Sequence, residues 1–357
     1  MGSRSSKPGV VAGIDVSAKE LVVALIRGRG EKVNLTVPNT GEGHDTLLRA
    51  LRLKGGAIRV VVEATGTYHL DLALTLAAAK GVEVMVANPL AARRFAQATM
   101  RRAKTDKVDS EVLLEFCQRM AFVPWVPPSL VTLEFRAVTR YLGSLITDQT
   151  AIKNRIRAAK GTTSTPEYVL NDLQSQLEAL EARVAACQAQ AEVVAASDAE
   201  LSAKLASLVS IPGIAERSGV QLLGELVVLD PTMGPDEVVA HAGLDPRPKQ
   251  TGARDPARQI SKVGNARIRA VLYMPAMSAS RTNTVVNAWY STLTERGKVP
   301  FVAHVAVMRR LLRIAWVLLV RKGAWDDAKF APRQRPDEAV PPPVATGKKV
   351  KNVAVAS

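Results

Sequence analysis

The sequence predicts an α/β domain built on a mixed sheet, then a coiled-coil helical hairpin, then a mostly α-helical C-terminal domain. Three observations carry this. Residues 10–123 alternate short apolar runs of strand type with segments of helical period. Residues 129–196 hold two long apolar series whose spacings alternate between four and three. Residues 197–326 open on the capping box Ser197-Asp198-Ala199-Glu200 and continue in helical patterning.

In the first domain, Val10–Ser17, Glu20–Gly28 and Glu31–Val37 are three successive strand-like runs, with breaks short enough for two antiparallel hairpins. Gly41–Leu53 has a helical pattern. Ile58–Glu63, an apolar run ended by Glu63, fits a buried strand. Leu70–Lys80 predicts a second helix and Val82–Ala87 another strand. Pro89–Gln97 opens a third helix with proline at an early position, where its missing N–H is no loss. Asp106–Met120 is amphipathic. The order β-β-β-α-β-α-β-α is that of ribonuclease H, a mixed sheet with helices packed on it.

Pro124, Pro127 and Pro128 mark a boundary. The first seam then runs Val131, Phe135, Val138, Leu142, Leu145, Gln149, Ile152, Ile156. After the turn-rich Lys160–Pro166, the second runs Leu170, Leu173, Leu177, Leu180, Val184, Cys187, Ala191, Val194. Two such seams predict an antiparallel helical hairpin or coiled coil. Narrow apolar stripes on both helices favour a subunit contact over ordinary two-helix packing, with Gln149 as a polar residue to fix register or oligomer state. Residues 1–9 and the proline- and lysine-rich residues 331–357 are expected to be disordered.

Lysine and arginine number 48 against 33 acids, a formal charge of +15 and a pI near 10.0. That surplus favours a polyanionic partner, nucleic acid before anionic membrane. Cys117 and Cys187 are the two cysteines, both in helical patterns, so a disulfide framework is not expected and a reducing cytoplasm fits. There is no CxxC pair and no histidine-rich ligand set, which argues against structural zinc. No signal peptide or apolar span of transmembrane length stands out, so no membrane is expected.

Four carboxylates carry the chemistry. Asp15 lies within the strand pattern Gly13-Ile14-Asp15-Val16-Ser17, and Glu63 ends the run Ile58–Glu63. Asp106 and Asp109 close a basic stretch that includes Arg101, Arg102, Lys104 and Lys107. Phosphodiester chemistry is served by two metal ions about 3.5–4 Å apart. Magnesium prefers oxygen ligands and retains several waters, so a few carboxylates suffice. Asp106 and Asp109 are three apart and share a helix face. Taken one at a time each acid has a plainer role, as a cap or turn residue; the set on this element order is the specific signal. Sugar kinases and actin-like ATPases also open on a Gly-Ile-Asp strand. They require glycine-rich phosphate loops, for which Gly66 is a weak candidate with no second.

Leu208–Ile214, with its Pro212-Gly213 turn, reads either as a helix-hairpin-helix turn aiming backbone N–H groups at phosphate or as a plain turn between helices. The segment from Gly243 to Arg269 is dense in cations: Arg247, Lys249, Arg254, Arg258, Lys262, Arg267 and Arg269, all candidates to hold a nucleic-acid backbone. The hydroxyls of Thr251 and Ser261 stand among them, either as nucleophiles toward phosphorus or as turn and helix caps.

These motifs together resemble the DEDD transposases of insertion-sequence family 110. The residues that carry the likeness are Gly13–Ser17, Val62–Gly66, Asn88-Pro89, Lys104–Asp109, Ile211–Gly213, Ile260–Asn265 and Ala270–Ala276, and it extends from Val10 to about Gly323. The resemblance implies a RuvC-like ribonuclease H domain (10–123), a coiled coil (129–196) and a C-terminal transposase domain (197–326). It implies that Asp15, Glu63, Asp106 and Asp109 bind Mg2+ or Mn2+. It further implies a recombinase that cuts and rejoins DNA at element ends and target, guided by a structured bridge RNA. Members act as homodimers or homotetramers, with a serine of the C-terminal domain attacking DNA, and the setting is the bacterial cytoplasm and nucleoid. In this sequence the serine slot is Thr251, before Gly252, so the nucleophile is Thr251 or, failing that, Ser261. Two alternatives share parts of the pattern: a Holliday-junction-type endonuclease and a catalytically inactive nucleic-acid-binding protein.

Overall fold

The structure, a computed structural model, describes residues 9–28, 30–52, 57–64, 66–99, 106–247 and 259–330; of residues 106, 107 and 247 it describes the backbone alone. The chain forms two compact units that divide between Ser129 and Leu130.

The first unit runs β1 (Val10–Val16), β2 (Glu20–Arg27), β3 (Glu31–Pro38), α1 (Gly41–Leu51), β4 (Ile58–Glu63), α2 (Leu70–Ala78), β5 (Val82–Ala87), α3 (Pro89–Ala98) and α4 (Asp106–Arg119). The sheet order is β3-β2-β1-β4-β5. β1–β2 and β2–β3 are antiparallel hairpins; β1–β4 and β4–β5 are parallel, as crossovers through helices require. The sheet is mixed, as the apolar patterning predicts.

Its two faces follow from strand alternation. Val10, Ala12, Ile14 and Val16 of β1 share one face with Val60 and Val62 of β4 and Val84 of β5. There they pack on Leu47 and Leu51 of α1 and Leu72 and Leu76 of α2. The opposite face carries Val11 of β1, Val61 of β4, and Met85 and Ala87 of β5, covered by Ala92 of α3 and by Leu113, Phe116 and Cys117 of α4. Burial on both faces explains the unbroken apolar Val60–Val62 of β4. Capping sets the helix starts: Thr40 accepts from Gly43 N at 3.3 Å before α1, and Asn88 from Leu90 N at 2.9 Å before α3.

The second unit runs α5 (Leu130–Lys160), α6 (Glu167–Ala196), α7 (Ala199–Val209), α8 (Glu216–Leu226), α9 (Pro235–His241), β6 (Pro246–Arg247), β7 (Gln259–Ile260), α10 (Ala266–Thr282), α11 (Thr284–Glu295), α12 (Pro300–Arg321) and α13 (Asp327–Phe330). α5 and α6 form an antiparallel hairpin within one chain: Cys187 contacts Val138 O, Arg183 bonds Tyr141, and Gln149 bonds Glu181 at 3.3 Å. The polar seam residue Gln149 thus finds its partner inside the hairpin. The base of the hairpin shares a core with the helices beyond it, Phe135, Leu142, Val184 and Ala191 joining Leu208, Leu223, Leu272 and Leu311. α8 crosses α5 so closely that a Cβ on Gly224 would lie 2.0 Å from Thr139 Oγ1.

Two local readings change. The cap of α7 is Asp198, whose carboxylate accepts from Glu200 N and Leu201 N at 2.8 and 2.9 Å, while Ser197 bonds back to Val194 O and closes α6. The Pro212-Gly213 turn is a packing device. Ile211 and Ile214 are buried, and a Cβ on Gly213 (φ 83°) would lie 2.3 Å from Pro275 O of α10. Among the described residues no helix is long and apolar enough to cross a membrane.

Candidate active site

Asp15 lies two residues past Gly13, and Glu63 two past Val61, so both fall on the α3–α4 face at the C-terminal ends of adjacent parallel strands. α4 rests directly on β1 there. A Cβ on Gly13 would lie 2.1 Å from Leu114 N and 2.5 Å from Ser110 O. Only glycine permits this approach, and it brings the first turns of α4, with Asp106 and Asp109, toward the end of β1 that carries Asp15. The Lys32–Glu111 ion pair at 2.8 Å ties the same part of α4 to β3. Asp15, Glu63 and Asp109 are half-buried; the side chain of Asp106 lies outside the described residues.

The donor set suits a hard divalent cation, which takes carboxylate oxygens and keeps water for its other positions. Among the described residues no three His, Cys, Asp or Glu side chains form a ready-made cage. Magnesium does not require one, since one or two carboxylates plus substrate phosphate commonly hold it. Of the neighbouring cations, Arg101, Arg102 and Lys104 lie outside the described residues, as does the side chain of Lys107.

In the second unit β6 and β7 pair antiparallel, Pro246 with Ile260 and Arg247 with Gln259. They bracket Lys249, Thr251, Arg254 and Arg258, which lie outside the described residues, as does the Arg247 side chain. Ser261 is anchored: its N–H donates to Asp245 O at 2.9 Å and its hydroxyl to the Asp245 carboxylate. Lys262 N donates to Gly243 O, and Asn265 N to His241 O at 2.7 Å. Gly264 (φ 131°) sits where a Cβ would be 2.1 Å from that same His241 carbonyl. Asn265 then caps α10, accepting from Arg267 N at 2.9 Å. Arg269, expected on a nucleic-acid backbone, donates one N–H to Ala242 O at 2.8 Å. Most of the Ser261–Arg269 motif is therefore turn architecture, and Lys262 and Arg267 remain its exposed cations.

Comparison with known families bears on this arrangement. Residues 12–159 match the DEDD transposase model of IS110, and residues 205–291 match the model described as transposase IS116/IS110/IS902 family. Together the two cover more than half of the chain, in the order the fold presents them. The chain belongs to the IS110 family of transposases. It is 24% identical over 323 residues to the pilin gene-inverting proteins of Moraxella bovis and Moraxella lacunata, covering 88% of this chain and 97% of each relative. A probable family 20 transposase of Pseudomonas aeruginosa is 25% identical over 267 residues, 65% of this chain and 77% of that protein.

The transposase also holds a buried polar network that sequence patterning missed. Glu225 of α8 is 3% exposed and receives Arg140 Nε and a second Arg140 nitrogen at 2.8 and 2.9 Å, plus Asn265 Nδ2 at 2.7 Å. Burial pushes the Glu225 carboxyl up. Hydrogen bonds from Arg140 and Asn265, with the charges of Arg140 and Arg136, more than offset this and hold it low. The available signal was an acid inside the apolar run Leu222–Leu229. This network locks the Ser261–Asn265 turn to α5 and α8.

Proposed function

We propose that this transposase cuts and rejoins DNA at insertion-element ends and target, guided by a structured bridge RNA, with a RuvC-like ribonuclease H fold in its first unit. The observation that carries the reading is the placement of Asp15 and Glu63 on one sheet face, at one end, under the helix that begins with Asp106 and Asp109. These four acids would hold Mg2+ or Mn2+. When bound, the metal would activate the attacking oxygen and stabilise the leaving oxygen.

The hydroxyl of Thr251 is the nucleophile in this reading. Its oxygen bonds to phosphorus as the bond from phosphorus to one DNA oxygen breaks, and that oxygen takes up a proton. Attack by an incoming DNA hydroxyl reverses the exchange and rejoins the strands. Anchoring of Ser261 to Asp245 supports Thr251, because a hydroxyl tied into a turn has little freedom to reach phosphorus. Lys262 and Arg267, with the cations bracketed by β6 and β7, would neutralise backbone phosphates. The relatives named for pilin gene inversion support recombination over simple hydrolysis. Assembly as a dimer or tetramer accompanies the reading.

Strand exchange with cognate element ends, bridge RNA and magnesium tests it. Asp15→Ala and Asp109→Ala should abolish product; unchanged product from either sinks the acid site. A covalent adduct should vanish in Thr251→Ala and persist in Ser261→Ala, and the reverse moves the nucleophile. Clean hydrolytic nicks without an adduct would instead indicate an endonuclease.

A further inference from the structure

The β1–β4 ladder ends at Ile14↔Val62, one residue short of both acids. Beyond it, Asp15 pairs with Val22 of β2 and Glu63 with Ala87 of β5. Each acid is thus held by its outer neighbour, and past Ile14 and Val62 no β1–β4 pair joins the segments that carry them onward.

One side chain bridges that gap. Asn39, directly after β3, donates from Nδ2 to Ser17 O at 2.9 Å and to Tyr68 O at 3.1 Å. Ser17 follows Asp15 on leaving β1, and Tyr68 lies in the turn after Glu63. The Asn39 backbone N–H donates to Lys19 O at 2.9 Å, in the same β1–β2 turn. Its Oδ1 faces His44 Nε2 at 2.9 Å, so that nitrogen carries the proton. His44 is 4% exposed, and its burial favours the neutral ring. Flipping the amide would turn Oδ1 toward two carbonyl oxygens and its N–H groups toward the His44 donor. The base is rigid too: a Cβ on Gly43 would lie 1.8 Å from Pro38 O, so the first turn of α1 is pressed against the end of β3.

We propose that Asn39 is a positioning residue for the carboxylate site, fixing the spacing of the segments that leave Asp15 and Glu63, with His44 fixing the direction of its amide. The inference rests on the acids being metal ligands, so its test separates the two claims. The full chain is titrated with Mn2+ while the electron paramagnetic resonance signal of the free ion reads binding, and melting is followed in parallel. Wild type should bind and Asp15→Ala should lose binding. Asn39→Leu and Asn39→Asp should weaken it about 10–100-fold, the usual effect of removing a group that orients ligands. His44→Leu should weaken it likewise, and His44→Gln, which keeps an N–H donor, should recover it. A wild-type chain that leaves the Mn2+ signal unchanged, or an Asp15→Ala chain that binds normally, overturns the ligand reading itself. Loss in Asp15→Ala alongside wild-type affinity in the folded Asn39 variants overturns the positioning role. If the Asn39 variants do not fold, the His44→Leu and His44→Gln pair decides: equal affinities overturn it.

Discussion

Replacing Gly13 with alanine tests how α4 is seated on the sheet. The added methyl would lie 2.1 Å from Leu114 N, 2.5 Å from Ser110 O and 2.6 Å from the Leu113 carbonyl carbon. All three are backbone atoms, so no rotamer change relieves the clash. β1 lies between β2 and β4 and cannot recede. The helix must back away by about 1 Å, opening a close-packed face. Overpacking of this kind costs about 1–3 kcal/mol, and backbone on every side argues for the upper end. For a unit of this size that corresponds to roughly 10 °C in Tm. The functional loss should be greater, because misplacing catalytic groups by about 1 Å costs on the order of 100-fold in rate. Scanning calorimetry and strand exchange on the full chain measure both effects. Gly41→Ala is the control, since a Cβ there meets nothing within 4 Å. A Gly13→Ala protein that melts and exchanges strands like wild type would refute the seating of α4 and the placement of Asp109 that depends on it.

Glu225→Ala should destabilise the second unit by about 1–3 kcal/mol, because it leaves the half-buried Arg140 guanidinium and the Asn265 amide without their acceptor; chemical denaturation reads this, and a loss under about 0.5 kcal/mol would contradict it. His44 and His241 are both held below the ordinary histidine pKa, chiefly by burial. Below about pH 6.5 the unfolded chain therefore binds more protons than the folded one, so this stability is full above that pH and is lost as pH falls through it. Tm should drop between about pH 7 and pH 5, and His44→Gln should flatten the decline; parallel curves would discount His44. Lys262→Ala and Arg267→Ala should each lower the salt dependence of DNA binding by about one unit of slope. Arg269→Ala should leave the slope alone and lower Tm, since its contact is the Ala242 carbonyl; a changed slope there would restore it to the nucleic-acid interface.

The strands and helices of the first unit were legible because each has one dominant period. β1 alternates between two covered faces, and β4 is buried on both at Val60–Val62, which read as continuous apolar sequence. Asp15 and Glu63 stand out as candidates for a related reason: each adjoins apolar strand residues, where a charge is costly without a purpose. Asn39 and His44 were not legible, since a polar residue after a strand resembles any turn, the carbonyl partners of Asn39 are distant in sequence, and His44 meets the Asn39 side chain. The Arg269 contact was not legible either: the guanidinium, one turn into α10, reaches the Ala242 carbonyl, which is distant in sequence. The apolar spacing of α5 was legible because Phe135, Leu142, Leu145, Ile152 and Ile156 are buried along one stripe. Gln149 found Glu181 on the returning helix of the same chain.

The first unit divides its sheet between two tasks. The α1–α2 face is apolar along the strands, from Val10 to Val16 and from Val60 to Val62, and supplies cohesion. The α3–α4 face is apolar only in its middle, at Val11, Val61 and Met85; Arg59 and Glu83 pair at 2.8 Å at one end, and Asp15 and Glu63 stand at the other. An acid in the middle of that face would meet Leu113 and Phe116 and lose hydration without compensation. At the strand ends it keeps water on one side and structure on the other, which is what a ligand for a hydrated cation needs. The same register that buries Ile14 and Val62 thus turns Asp15 and Glu63 to the α4 side. A one-residue slip of β1 against its neighbours would put Asp15 among Leu47 and Leu72, so cohesion of the first face enforces the geometry of the second.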